Sequence, residues 1–192
     1  MKRLGESLNW AFEATPGFKV RALLENAAGQ GTAVCSNFEQ LSQALSLVRD
    51  RERVGVAIDT CHLFASGVEF RTPESYGSMI DRLEADLGRS EVKAFHLNDA
   101  KAPLGSHLDR HENIGKGEIG VEGFRGFVTD PRWNSVPGYL ETPLDDDGYA
   151  RYIEDLSTLK ALLPATTPAT GGAEGKRRPP RKAPPRSARE AQ

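Results

Sequence analysis

Apolar residues recur along this chain in two rhythms, short unbroken runs and stripes at helical spacing. Leu4, Leu8, Ala11 and Phe12 form a stripe that predicts a helix from Leu4 to Ala14, closed by Thr15-Pro16-Gly17. Lys19 to Leu24 is a strand-like run ending in Glu25 and the turn-rich Asn26-Ala27-Ala28-Gly29-Gln30-Gly31. Ser36-Asn37-Phe38-Glu39 has capping-box spacing, and Phe38, Leu41, Leu45 and Val48 mark one face of a helix to about Asp50. Val54 to Ile58 is the next strand, ending in Asp59 and breaking into a loop with His62. Thr72-Pro73-Glu74 opens a helix carrying Tyr76, Met79, Ile80, Leu83 and Leu87 inward. Val92 to Leu97 is a third strand and contains His96. A long Gly-rich segment without periodicity, Asn98 to Gly120, exceeds what a compact domain carries without a functional reason. A short helix at Val121 to Val128, a strand at Gly138-Tyr139-Leu140 and a helix from Gly148 to Leu163 follow. That last helix has Tyr149, Tyr152, Ile153, Leu156 and Leu159 on its apolar side.

Strand starts near positions 19, 54, 92 and 137 lie 35, 38 and 45 residues apart, the spacing of successive βα units in a parallel sheet. Four units make either an open α/β sheet or half of an eight-unit barrel. Neither GxGxxG nor GxxxxGK[ST] occurs, so a phosphate loop of a nucleotide-binding sheet is missing. The polar residues favour the barrel. Glu25, Asp59, His96 and Glu141 fall at or beside the C-terminal ends of four successive strands, which in a β/α barrel all open on one face. Each alone reads as a turn former or salt-bridge partner; four at equivalent points read as ligands of a divalent metal, against a hydrogen-bonded polar cluster. Asp109 and His111, two apart, point the same way in extended chain, and His62 completes a three-ligand site with open positions. Exposed polar loop is the alternative there. His107 stays outside the ligand set.

Length and charge narrow the picture. The chain has 192 residues, short of the roughly 250 of a complete barrel. No apolar run nears 18 residues and no charged-then-apolar leader occurs, so the expectation is a cytoplasmic protein with no membrane partner. Cys35 and Cys61 lack CxxC spacing and are expected to be reduced and packed. The net charge of −2 divides unevenly. From Ala165 on, seven Lys and Arg against Glu174 and Glu190 give +5, leaving −7 on the body. This Pro-rich stretch without large apolar residues is expected to be a disordered basic tail over 164–192, beyond a partial barrel over 1–163. It either adds salt-sensitive attraction to nucleic acid phosphates or is simply solvated.

Five segments resemble the signature segments of the endonuclease IV (deoxyribonuclease IV) family, in family order. They are Leu24 to Gly31, Gly55 to His62, His96-Leu97-Asn98-Asp99, Asp109 to Gly115 and Leu140-Glu141-Thr142-Pro143. The resemblance covers about Leu4 to Leu163. It implies a TIM barrel holding three zinc ions, of which this chain has about four C-terminal βα units. It further implies that Glu25 bridges two metals, that Asp59, His96 and Glu141 complete one site, and that His62, Asp109 and His111 form another. Glu25 and Glu141 are the implied catalytic carboxylates. The implied reaction is hydrolysis 5′ to an abasic deoxyribose in duplex DNA, leaving a 3′ hydroxyl. Extruding a sugar that lacks its base costs little stacking, which selects for damage. The remaining zinc site would keep only Glu25, and the expectation is that Met1 is an internal start of a truncated homologue, the complete barrel being a monomer. Two other readings stay open: a single-metal sugar isomerase of the xylose-isomerase-like group, which uses only the Glu, Asp, His, Glu quartet, and an inactive fragment binding nucleic acid through its tail.

Overall fold

The computed structural model describes residues 1–144 and 149–164. Helix α1 (Lys2–Ala14) leads into strand β1 (Ala22–Glu25), followed by α2 (Phe38–Ser46), β2 (Val54–Asp59), α3 (Thr60–Ala65), α4 (Pro73–Asp86) and β3 (Val92–His96). The chain continues through the short strands β4 (Asp99–Ala100) and β5 (His111–Glu112), helices α5 (Gly120–Gly123) and α6 (Arg125–Thr129), strand β6 (Gly138–Tyr139) and α7 (Ala150–Ala161). Strands β1, β2, β3 and β6 form one parallel sheet in that order. Each βα unit therefore lays its strand beside the preceding one, the way a β/α barrel is wound. β1 and β6 are the margins, and among the described residues no strand pairs with either on its outer side.

All six residues of β2 are buried, which is why its sequence is a continuous apolar run and not an alternation. The register sets Asp59 beside His96 and His96 beside Tyr139. Glu25 pairs with Ala57, and an irregularity between Val56 and Ala57 shifts β2 against β3. Helix α4 starts as its sequence predicts: the Ser75 amide donates to the Thr72 hydroxyl, the Thr72 amide to the Ser75 hydroxyl, and Pro73 occupies the first turn. Met79, Ile80, Leu83 and Leu87 are buried, and Tyr76 is half-buried. Beneath them Phe127 meets Phe70, Tyr76 and Phe95 edge to face, with centroids 5.3 to 5.4 Å apart.

Four expectations need correction. The N-cap of α2 is Asn37, one residue later than expected: its side chain accepts from the Gln40 amide at 2.9 Å, while Gln40 accepts from the Ser36 amide at 3.2 Å, so the cap is not a reciprocal box. Asn suits an N-cap, and α2 ends at Ser46, although Val48 is still buried. Second, β2 does not break into a loop but turns directly into α3, capped by Asp59. Third, the segment after β3 is ordered. Strands β4 and β5 pair antiparallel, and the buried Asp99 carboxylate gathers the amides of Ala100, Gly115, Gly117, Ile119 and Gly120 at 2.8 to 3.3 Å. Fourth, of the apolar side expected of α7 only Leu159 is buried and Tyr152 is half-buried. Asp155, Leu159 and Leu162 are buried, whereas Tyr149 is 73% and Ile153 65% exposed. The expected start of this helix at Gly148 and the basic tail from Ala165 on lie outside the described residues. Among the described residues no helix is long and apolar enough to cross a membrane.

Cys35 and Cys61 are free and buried, as their isolated positions imply. Burial, with the Asp59 charge next, pushes the Cys61 thiol up to about 12, and burial also raises Cys35. Because the thiolate is the nucleophile, a raised thiol means less of it at any ordinary pH. Native protein is expected to react slowly with a thiol reagent, with a Cys61 rate that climbs about tenfold per pH unit from pH 7 to 9 without levelling off, and to release both thiols on unfolding. Rapid labelling of native Cys61 at pH 8 contradicts this.

Candidate metal centre

Six of the seven candidate ligands owe their position to the ends of elements. Glu25, Asp59 and His96 close β1, β2 and β3; Glu141 follows β6 by two residues; His62 lies in the first turn of α3; and His111 opens β5. Asp109 stands two residues before β5. The structure brings all seven to one end of the sheet.

The ligand atoms of Glu25, Asp59, His96 and Glu141 all lie within 4.8 Å of one another, and so do those of Asp59, His62 and His111. His96 Nδ1 is the centre of the first group, 3.0 Å from Glu25 Oε1 and 3.1 Å from Glu141 Oε2. In the second, the Nε2 atoms of His62 and His111 face each other at 3.5 Å, and Asp109 Oδ1 stands 3.1 Å from one and 3.5 Å from the other. Two imidazole nitrogens aimed at one point suit a shared cation better than each other. Glu25 belongs to both neighbourhoods: Oε1 is also 3.3 Å from His62 Nδ1. Asp59 does too, since its Oδ2 is 3.9 Å from His96 Nδ1 and 3.7 Å from His111 Nε2. His107 stands apart, with Nδ1 against the Ala28 carbonyl at 3.0 Å and its backbone at φ 54°.

Four carboxylates surround three imidazoles here, and the electrostatics follow from that excess. Burial pulls His62 down, but its hydrogen bond with Glu25 and the charges of Asp59 and Asp109 outweigh burial and lift it to about 10. Burial likewise raises Glu25, yet its hydrogen bonds with His62 and His96 bring it to about 2. The Glu25 hydrogen bond leads in raising His96. Asp59, fully buried, is pushed up by desolvation against the pull of His62, His111 and the Asn98 amide. A set of this composition calls for positive charge, and nitrogen and oxygen donors in these proportions fit zinc or a related divalent ion.

Residues without an assigned role in the sequence hold the ligands in place. Asn98 is buried and spans the two groups' supports: its Nδ2 donates to Asp59 Oδ2 at 2.6 Å and its Oδ1 accepts from the Glu141 amide at 2.8 Å. Asn26 brackets Asp59 from the other side, accepting its amide at 2.7 Å and donating to its carbonyl at 3.1 Å. The Asn26 carbonyl meets His62 Nδ1 at 2.9 Å, and Asp59 Oδ1 accepts from the His62 amide at 2.8 Å. Both asparagines follow a strand-end ligand by one or two residues, a signal visible in the sequence once the ligands are suspected. Outer partners of this kind fix ligand orientation.

Residues 1–162 match the family described as xylose isomerase-like TIM barrel. A Chlorobium phaeovibrioides protein named "Probable endonuclease 4" is 45% identical over 157 residues, which are 82% of this chain and 55% of that protein. A Chloroflexus aurantiacus protein of the same name is 47% identical over 147 residues, 77% of this chain and 51% of its own length. The crystal structure of endonuclease IV from Thermus thermophilus superposes with a TM-score of 0.62 at 33% identity, over 73% of this chain and 48% of that one. The chain thus spans about half the length of the relatives it matches.

Proposed function

The chain belongs to the xylose isomerase-like TIM-barrel family, and from that premise we propose that its rim is a zinc-dependent phosphodiester-hydrolysing site acting on duplex DNA at abasic positions. The observation that carries the reading is the convergence of His62, Asp109 and His111 beside the Glu25, Asp59, His96 and Glu141 group, so that two ions have their ligands on one rim. The names of the endonuclease relatives point the same way. Zinc held by these residues would supply Lewis acidity, the chemistry that polarises a phosphodiester oxygen and lowers the pKa of water towards neutral. The chain's own residues do the rest. Asp59, held rigidly by Asn26 and Asn98, anchors both ligand groups. Glu25 reaches both through one oxygen. Glu141 is the most exposed carboxylate of the set, with its side chain 48% accessible. That exposure supports Glu141 as the carboxylate that takes a proton from attacking water at the mouth of the site.

The test is incision of a duplex carrying one abasic site, compared with the intact duplex, with and without chelator. Expected is chelator-sensitive nicking that leaves a 3′ hydroxyl and a zinc count of at least two per chain. Binding of one ion, without incision, would favour the second reading, sugar isomerisation at the Glu, Asp, His, Glu group alone, which leaves the paired Nε2 atoms of His62 and His111 without a task.

A further inference from the structure

On the outer side of the rim, away from every ligand atom, the Asp155 carboxylate is 2% exposed in the middle of α7. A buried carboxylate needs partners, and this one has three. Its Oδ1 accepts from the Ile114 amide at 2.9 Å, and its Oδ2 accepts from Asn113 Nδ2 at 2.9 Å and from the Thr142 hydroxyl at 2.6 Å. The first two belong to the chain leaving β5, two and three residues beyond His111. Thr142 directly follows Glu141. Asn113 adds a cross-link of its own, donating to the Pro143 carbonyl at 3.2 Å. On the rim side the same two segments touch where His111 Nδ1 meets the Glu141 carbonyl at 3.2 Å. One acid on the last helix thereby holds together a segment from each ligand group.

We propose that Asp155 is a positioning residue that fixes the spacing between the two metal groups, acting through Thr142 on Glu141 and through Asn113 and Ile114 on His111. The inference rests on the metal reading of the rim. Replacing the carboxylate by an amide keeps its volume, but either orientation points its NH2 at an N–H of the β5 segment, that of Ile114 or of Asn113. One hydrogen bond to the β5 segment is therefore lost in each case, and the tie between the two strand-end segments loosens on the His111 side.

Cobalt(II) titration of the full chain, read by its visible ligand-field bands, tests this without reference to activity. Asp155→Asn is expected to weaken cobalt binding about tenfold or more and to change band intensities for both ions, as loss of an outer partner does. Leu159→Ala, one turn further along the same buried face, removes packing and no hydrogen bond to these segments. It should lower the melting temperature while leaving cobalt affinity and spectrum as in the parent. Should Asp155→Asn fail to fold, Thr142→Val removes one arm alone and is expected to weaken only the ion held with Glu141. Parental affinity and spectrum in Asp155→Asn, or in Thr142→Val where the former is insoluble, overturn the proposal. A parent chain that takes up no cobalt overturns the metal reading and the proposal together.

Discussion

Asp59→Ala is expected to weaken zinc binding about a hundredfold or more at both ligand groups, with little change in the melting temperature of the metal-free chain. Asp59 offers a ligand atom to both clusters, and its removal takes a ligand from each. The adjoining supports go with it: Asn98 Nδ2 loses its acceptor and the His62 amide loses the oxygen that starts α3. Losing a helix cap costs about 1 kcal/mol. That loss is offset because a fully buried carboxylate, which desolvation disfavours, is gone as well. Function and stability therefore part company at this position. Asp109→Ala is the contrast, since its half-exposed carboxylate touches only His62 and His111 and should affect one ion alone. Calorimetric zinc titration and melting in chelator measure the two quantities. Two ions retained at parental affinity by Asp59→Ala would refute the shared-ligand arrangement.

Asp99→Ala carries the largest expected loss of stability, about 3 to 5 kcal/mol. Its carboxylate is the acceptor for four amides between Gly115 and Gly120, and the side chain is fully buried. Alanine leaves these amides facing an empty pocket. Asn is no remedy. Oδ2 serves Gly115, Gly117 and Gly120 while Oδ1 serves Ile119 and Ala100, so either orientation of an amide points a donor at donors. The close approach has a second signature at Gly117, where an added Cβ would collide with the Ala100 carbonyl and the Asp99 carboxylate. Urea unfolding measures the loss, and a change below 1 kcal/mol in Asp99→Ala would mean that water replaces the acceptor.

Much of this site was legible because Glu25, Asp59, His96 and Glu141 lie at or beside the ends of apolar runs. Val54 to Ile58 can only be a buried strand, so Asp59 has to stand at its tip, and the same logic locates His96 and Glu141. The βα spacing gave the parallel sheet for the same reason. What escaped was chemistry without a side-chain pattern. Asp99 binds backbone amides almost exclusively, and any sequence offers those. Helix α3 is six residues long, too short to show a period, and its cap is the same aspartate that reads as a ligand. Of the apolar stripe in and before α7, Leu159 is buried, but the described chain leaves Tyr149, Ile153 and Leu156 exposed and buries Asp155 and Leu162 as well. Periodicity reports that a face is apolar; it does not report which neighbour arrives to meet it.

The parallel sheet ends at β1 on one side and β6 on the other, with no strand of the described chain beyond either. Amide and carbonyl groups along such a border are chemically unspent, and Leu23 in β1 is partly exposed next to them. Any stretch of extended polypeptide meeting that border finds a ready template, whatever its sequence. Concentration, not temperature alone, then governs how long a solution of this chain stays clear.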